Sequence, residues 1–174
     1  PGVGQGTTMI VQLPLQPMPL EMTPSDLEFV AQEPPDSASQ EVFSLEGLHV
    51  LAVDDDLGSL ALIDWMLKDA GAEVVAVTSV REAIAALIAS PGRYDALLAD
   101  IGMPEEDGLA LIRQVRAMDA EAGGRIPAVS ITAYVSDRER QMSIDAGFQI
   151  HMTKPVDQPQ LIRVVANLTG RVTE

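Results

Sequence analysis

An alternation that starts near Leu48 and continues almost to the C-terminus constrains this chain more than any other feature. Five short apolar runs, His49–Val53, Glu73–Val77, 96–99, Ala128–Thr132 and 148–152, read as strands buried on both faces. Each is followed by a stretch of helical length. In residues 57–71, Leu60, Ile63, Leu67 and Ala70 fall on one helical face, and Gly71 supplies a terminator. Residues 79–92 open on a Ser79 cap and close on Pro91 and Gly92, and stretches 107–124, 136–147 and 157–170 complete the series. Five strand–helix units in succession predict an α/β fold, a doubly wound five-stranded parallel sheet with helices on both faces. Such sheets bind their ligands beyond the carboxyl ends of the strands.

Those ends are polar here. The first strand runs into Asp54, Asp55 and Asp56, the third into Asp100, the fourth ends in Thr132, and the fifth leads to Lys154 and Pro155. A doubly wound sheet can make these strands neighbours, which gathers the polar ends into one pocket. Three carboxylates in one pocket repel and need a cation. Hard oxygen ligands suit Mg²⁺, which keeps several waters and accepts phosphate oxygens. The lysine adds a positive charge and the threonine a hydroxyl donor. Together these are the parts of a phosphoryl-transfer site with a carboxylate nucleophile.

The motifs "VLAVDDD", "LLADIGMPEEDG", "ITA" and "TKP", in this order over residues 48–170, resemble the receiver domain of two-component response regulators. The resemblance implies a (βα)₅ flavodoxin-like fold with strand order 2-1-3-4-5, and Asp100 as phosphoacceptor from a partner's phosphohistidine. It implies direct Mg²⁺ ligation by Asp55, Asp100 and the backbone carbonyl of Gly102, with Asp54 acting through a metal-bound water. Lys154 and Thr132 would bind phosphoryl oxygens, with Thr132 and His151 as switch residues. Pro104, Gly108 and Pro155 would shape the turns, the Lys154–Pro155 peptide being cis. The implied partners are a histidine kinase, in the same polypeptide or separate, and a histidine phosphotransfer protein. Gly102 and Tyr134 stand two residues beyond Asp100 and Thr132, where such domains govern water access; Gly102 has no side chain to orient a water and Tyr134 is bulky enough to screen the group, which predicts slow loss of the phosphoryl group.

Composition divides the chain. All 11 Lys and Arg residues lie at or after Lys68, while residues 1–46 hold seven acids, no base and seven of the 12 prolines. Residues 16–46 therefore read as an acidic, Pro-rich linker, with a short helix over 25–31, and 47–170 as the receiver, with 171–174 as a tail. Residues 1–15, "PGVGQGTTMIVQLPL", resemble the end of a histidine-kinase ATPase domain. This makes the chain the expected C-terminal piece of a hybrid sensor kinase, without kinase activity of its own. A net charge of −15 argues against direct contact with nucleic acid. No run approaches the roughly 20 apolar residues of a membrane span, and a cytoplasmic location is expected. The absence of cysteine excludes disulfides and thiolate metal sites.

Other readings compete. Asp54 as nucleophile and Asp56 as acid would suit a haloacid-dehalogenase-like phosphatase, but such an enzyme leaves Asp100 unexplained and needs a later acidic pair. An interaction module unable to be phosphorylated would require a lost site residue. Asp56 reads as a helix cap, His49 as chemically inert, and Met103, Met118, Met142 and Met152 as core filler.

Overall fold

The computed structural model describes residues 43–171 apart from 105, 134 and 135. The expected short helix over 25–31, the kinase-like segment 1–15 and most of the linker lie outside the described residues. The elements are β1 (His49–Val53), α1 (Leu57–Asp69), β2 (Glu73–Val77), α2 (Val80–Ala89), β3 (Ala96–Asp100) and α3 (Gly108–Arg116). After a 3₁₀ turn at Ala120–Ala122 come β4 (Ala128–Thr132), α4 (Asp137–Ala146), β5 (Ile150–Thr153) and α5 (Gln158–Leu168). The strands form one parallel sheet in the order β2-β1-β3-β4-β5, as the alternation and the resemblance imply.

Strand alternation divides the core into two layers. Val50 and Ala52 of β1, Ala96 and Leu98 of β3, and Val129 and Ile131 of β4 face α1 and α5, meeting Leu60, Ile63, Leu67, Leu161 and Val165. Leu51, Val53, Leu97 and Ala99 face the other way, onto Val80, Leu87, Leu111, Ile112 and Val115 of α2 and α3. Each helix starts from a short polar cap that satisfies an otherwise orphaned amide. The Asp56 carboxylate accepts from Ser59 N at 2.7 Å, Asp107 from Ala110 N at 2.7 Å, and Ser136 Oγ from Glu139 N at 3.2 Å.

Several boundaries differ from the periodicity. The stretch 107–124 is helical only to Arg116, whose guanidinium turns back to Gly124 O at 3.0 Å and Gly147 O at 2.9 Å. Gly123, at φ +103, then reverses the chain where other residues would be strained. The fifth strand begins at Ile150 instead of 148; Phe148 is buried by packing ahead of the strand, against the α2–α3 layer. β3 extends one residue further, to Asp100. Met103 and Met152 are buried as expected, but Met142 projects from α4 and is 41 % exposed, so it does not fill the core.

The packed unit reaches further toward the N-terminus than position 47. Leu45 is wholly buried, its N–H donates to Ala70 O at 2.9 Å, and Phe43 packs on the same layer. These residues close the end of α1. Leu45→Ala should therefore lower the stability of the receiver by about 2–4 kcal/mol, measured by urea unfolding of the full chain. An unchanged midpoint would place Leu45 outside the cooperative core.

Candidate functional site

The site lies where the sheet changes direction. β1 is flanked by β2 on one side and β3 on the other, so the chain crosses over between β1 and β3, and a crevice opens beyond their carboxyl ends. Val53 pairs with Ala99, which sets Asp54 and Asp55 beside Asp100. Asp54, Asp55 and Asp100 each present a carboxylate oxygen within 4.8 Å of the others. Asp54 and Asp100 are buried, at 1 % and 7 % exposure, whereas Asp55 faces solvent.

Lys154 enters from the far side. Its backbone N–H donates to Thr132 O at 2.7 Å, tying the end of β5 to the end of β4. Its Nζ lies 2.8 Å from Asp54 Oδ2 and 3.4 Å from Asp100 Oδ1. The Lys154–Pro155 peptide is cis. Asp54 is committed at both oxygens, since Oδ1 accepts from Asp56 N at 2.9 Å. Thr132 is buried at the tip of β4, next to the cluster.

The electrostatics follow from burial and pairing. Desolvation raises the pKa of Asp100 above the usual carboxylate value, and the Asp54 charge raises it further; Lys154 and the Gly102 N–H oppose the shift. Burial works against the charge on Lys154, but its hydrogen bond to Asp54 and the field of both acids hold its pKa above the ordinary lysine value. Asp56, fully exposed, has its pKa lowered by the Ser59 amide it caps.

The turn after β3 is fitted to the site. Gly108 opens α3 directly against β3, and a Cβ there would overlap the Asp100 carbonyl oxygen, so the position accepts only glycine without a backbone shift. Met103 is buried beneath the turn, and Pro104 with Asp55, Thr78, Ser79 and Arg81 lines a cavity of about 340 Å³ beside the acids. Gly102 sits with its backbone against the Asp100 carboxylate. His151 is in β5, on the side of the sheet opposite Met152, hydrogen-bonded to Ser130. Tyr134 lies outside the described residues. Sequence reasoning did not single out Ser130 and Ser143, both wholly buried; a serine inside an apolar strand run is the signal that could have marked the first.

The response regulator receiver domain family matches residues 50–166. The chain belongs to that family. It is a receiver domain of two-component signalling. Among curated relatives, it is 38 % identical over 122 residues to an uncharacterized 14.6 kDa protein of Leptolyngbya boryana, covering 70 % of this chain and 90 % of that one. It is 33 % identical over 135 residues to the sensor histidine kinase GacS of Pseudomonas protegens, covering 77 % of this chain. The receiver thus spans nearly the whole of the first relative but only 14 % of the length of the second. Among solved structures, the receiver domain of the sensor histidine kinase PA1611 of Pseudomonas aeruginosa, which has a magnesium ion in its active-site cleft, matches with a TM-score of 0.64 and 30 % identity. That match covers 71 % of this chain and 98 % of the other. The phosphatase reading with Asp54 as nucleophile is not favoured, since both Asp54 oxygens are engaged and buried.

Removing one acid should relieve the repulsion. Asp55→Asn should raise the melting temperature of the metal-free receiver by a few degrees, roughly 1 kcal/mol, because like charges close together are destabilising and solvent screens an exposed one. The gain should shrink as pH falls. Asp100, with a raised folded pKa, favours the folded state below the ordinary carboxylate pKa near 3.8, and that contribution is lost as pH rises through the folded value. Calorimetry at several pH values checks both. A lower melting temperature for Asp55→Asn at neutral pH would show that the acids do not repel.

Proposed function

We propose that this receiver accepts a phosphoryl group from a phosphohistidine onto Asp100 and then changes conformation or hands the group on. One observation carries the reading: among the described residues, three carboxylates cluster while the Lys154 ammonium pairs with two of them, Asp54 and Asp100, leaving an excess of negative charge around a nucleophilic carboxylate. A divalent cation cancels that charge, and an all-oxygen donor set suits Mg²⁺. Asp55, Asp100 and the Gly102 carbonyl would hold the ion directly, with Asp54 reached through water. When bound, it shields the acids and the phosphoryl oxygens.

An Asp100 carboxylate oxygen attacks phosphorus in line. The new O–P bond forms as the P–N bond of the phosphohistidine breaks, and the nitrogen keeps the electron pair and leaves as a neutral imidazole whose other nitrogen already carries its proton. Lys154 offsets the charge on one phosphoryl oxygen, and the Thr132 hydroxyl donates to another. A donor protein is required, and a histidine kinase or a histidine phosphotransfer protein supplies this chemistry. The kinship with receiver segments of sensor kinases supports a parent protein of hybrid-kinase type, in which the linker ends before the packed residues Phe43 and Leu45; a cytoplasmic location fits that reading. Among the described residues no helix is long and apolar enough to cross a membrane.

Incubation with acetyl phosphate and Mg²⁺, followed by intact-mass measurement, should show one phosphoryl addition. Asp100→Asn should abolish it, chelation of Mg²⁺ should suppress it, and Lys154→Ala should slow it by about 10²-fold or more. Labelling that survives Asp100→Asn but is lost in Asp54→Asn would overturn the assignment.

A further inference from the structure

Two buried hydroxyls take no part in the phosphoryl chemistry. Ser143 is the seventh residue of α4, Ser130 is central in β4, and both are wholly shielded from solvent. Ser143 Oγ donates to Ser130 Oγ at 2.7 Å. Ser130 Oγ in turn lies 3.0 Å from His151 Nδ1 and 3.3 Å from Ile150 O. Ser130 and His151 are register partners across the β4–β5 ladder, so the contact is built into the strand pairing. A hydroxyl has one hydrogen to give. Since Ser130 accepts from Ser143, its own hydrogen goes either to Nδ1 or to the more distant Ile150 carbonyl.

We propose that Ser143 and Ser130 form a hydrogen-bonded lock that holds the His151 ring against β4 as a neutral imidazole, making the α4–β4–β5 side of the receiver sensitive to protons. With Nδ1 bare and Nε2 protonated, the chain Ser143→Ser130→His151 is complete, and each serine hydroxyl has an acceptor. Protonation at Nδ1 reverses the last bond: the ring becomes the donor, and Ser130 must swing its hydrogen to Ile150 O, a longer contact. Burial opposes the charge, and the Arg140 guanidinium on α4 opposes it too, while Glu139 on the same helix works the other way; the net effect lowers the His151 pKa below 6.5. The folded state therefore favours the neutral ring. The stability this confers is complete above pH 6.5 and is lost as pH falls toward the lowered folded value. Ser130 is two residues from Thr132 and His151 three from Lys154, so release of the ring acts on the two strand tips that border the acids.

The lock is tested in the full, unphosphorylated chain, so the outcome is independent of any role of Asp100. Long-range ¹H–¹⁵N spectra distinguish imidazole tautomers, and His49→Gln assigns the two histidine signals. At pH 8, His151 should show a bare Nδ1 and a protonated Nε2. Its titration midpoint should lie below 6.5. Ser130→Ala should mix the tautomers and raise the midpoint by about half to one unit, the shift expected from one lost hydrogen bond. Ser143→Ala should move it the same way by less. A protonated Nδ1 in the unaltered chain would overturn the lock even if Ser130→Ala fails to fold. So would a midpoint unmoved by both serine substitutions.

Discussion

The ammonium of Lys154, 2.8 Å from Asp54 and 3.4 Å from Asp100, is the interaction on which the arrangement of the site depends. Two carboxylates buried at neighbouring strand ends would push the sheet apart or remain protonated without a compensating charge. One lysine compensates only part of that charge. Asp100 retains a raised pKa, and the exposed Asp55 adds a third negative group. The receiver therefore holds a standing electrostatic deficit of the kind that the proposed divalent ion would relieve. On that proposal, affinity for the ion and cost to the apo fold would have the same origin.

The sheet makes that deficit possible. Parallel pairing brings every strand tip to one edge, and the crossover between β1 and β3 opens the crevice into which the acids project. Two aliphatic layers, one on each face, hold the strands in register. Close packing then excludes side chains where the site turn returns: Gly108 lies against the Asp100 carbonyl. On the opposite flank the Ser143–Ser130–His151 chain replaces apolar packing with directed hydrogen bonds, which gives that side a chemical sensitivity the aliphatic layers lack.

Much of this was legible because the signals were local. The βα alternation survives in one sequence: buried parallel strands must be apolar on both faces, and helices must carry a stripe. The caps at Asp56 and Ser79 act within three residues of themselves, so their types reveal them. Less local features escaped. The contact of Arg116 at the end of α3 with Gly147, 31 positions away, left no mark in the periodicity. Leu45 lies in a stretch of linker-like composition, and only its contact with the end of α1 makes it core.

The sequence by itself determined the class of fold, the strand-end positions of Asp54, Asp55, Asp100, Thr132 and Lys154, and the phosphoryl chemistry such a set suits. Residue type and spacing carry that information. Tertiary structure alone decided which oxygens Lys154 reaches, that Asp55 is the acid left to solvent, and that His151 meets Ser130, itself bonded to Ser143. Those outcomes depend on ångström-scale distances between residues up to 100 positions apart, set by how the layers pack and not by any nearby residue.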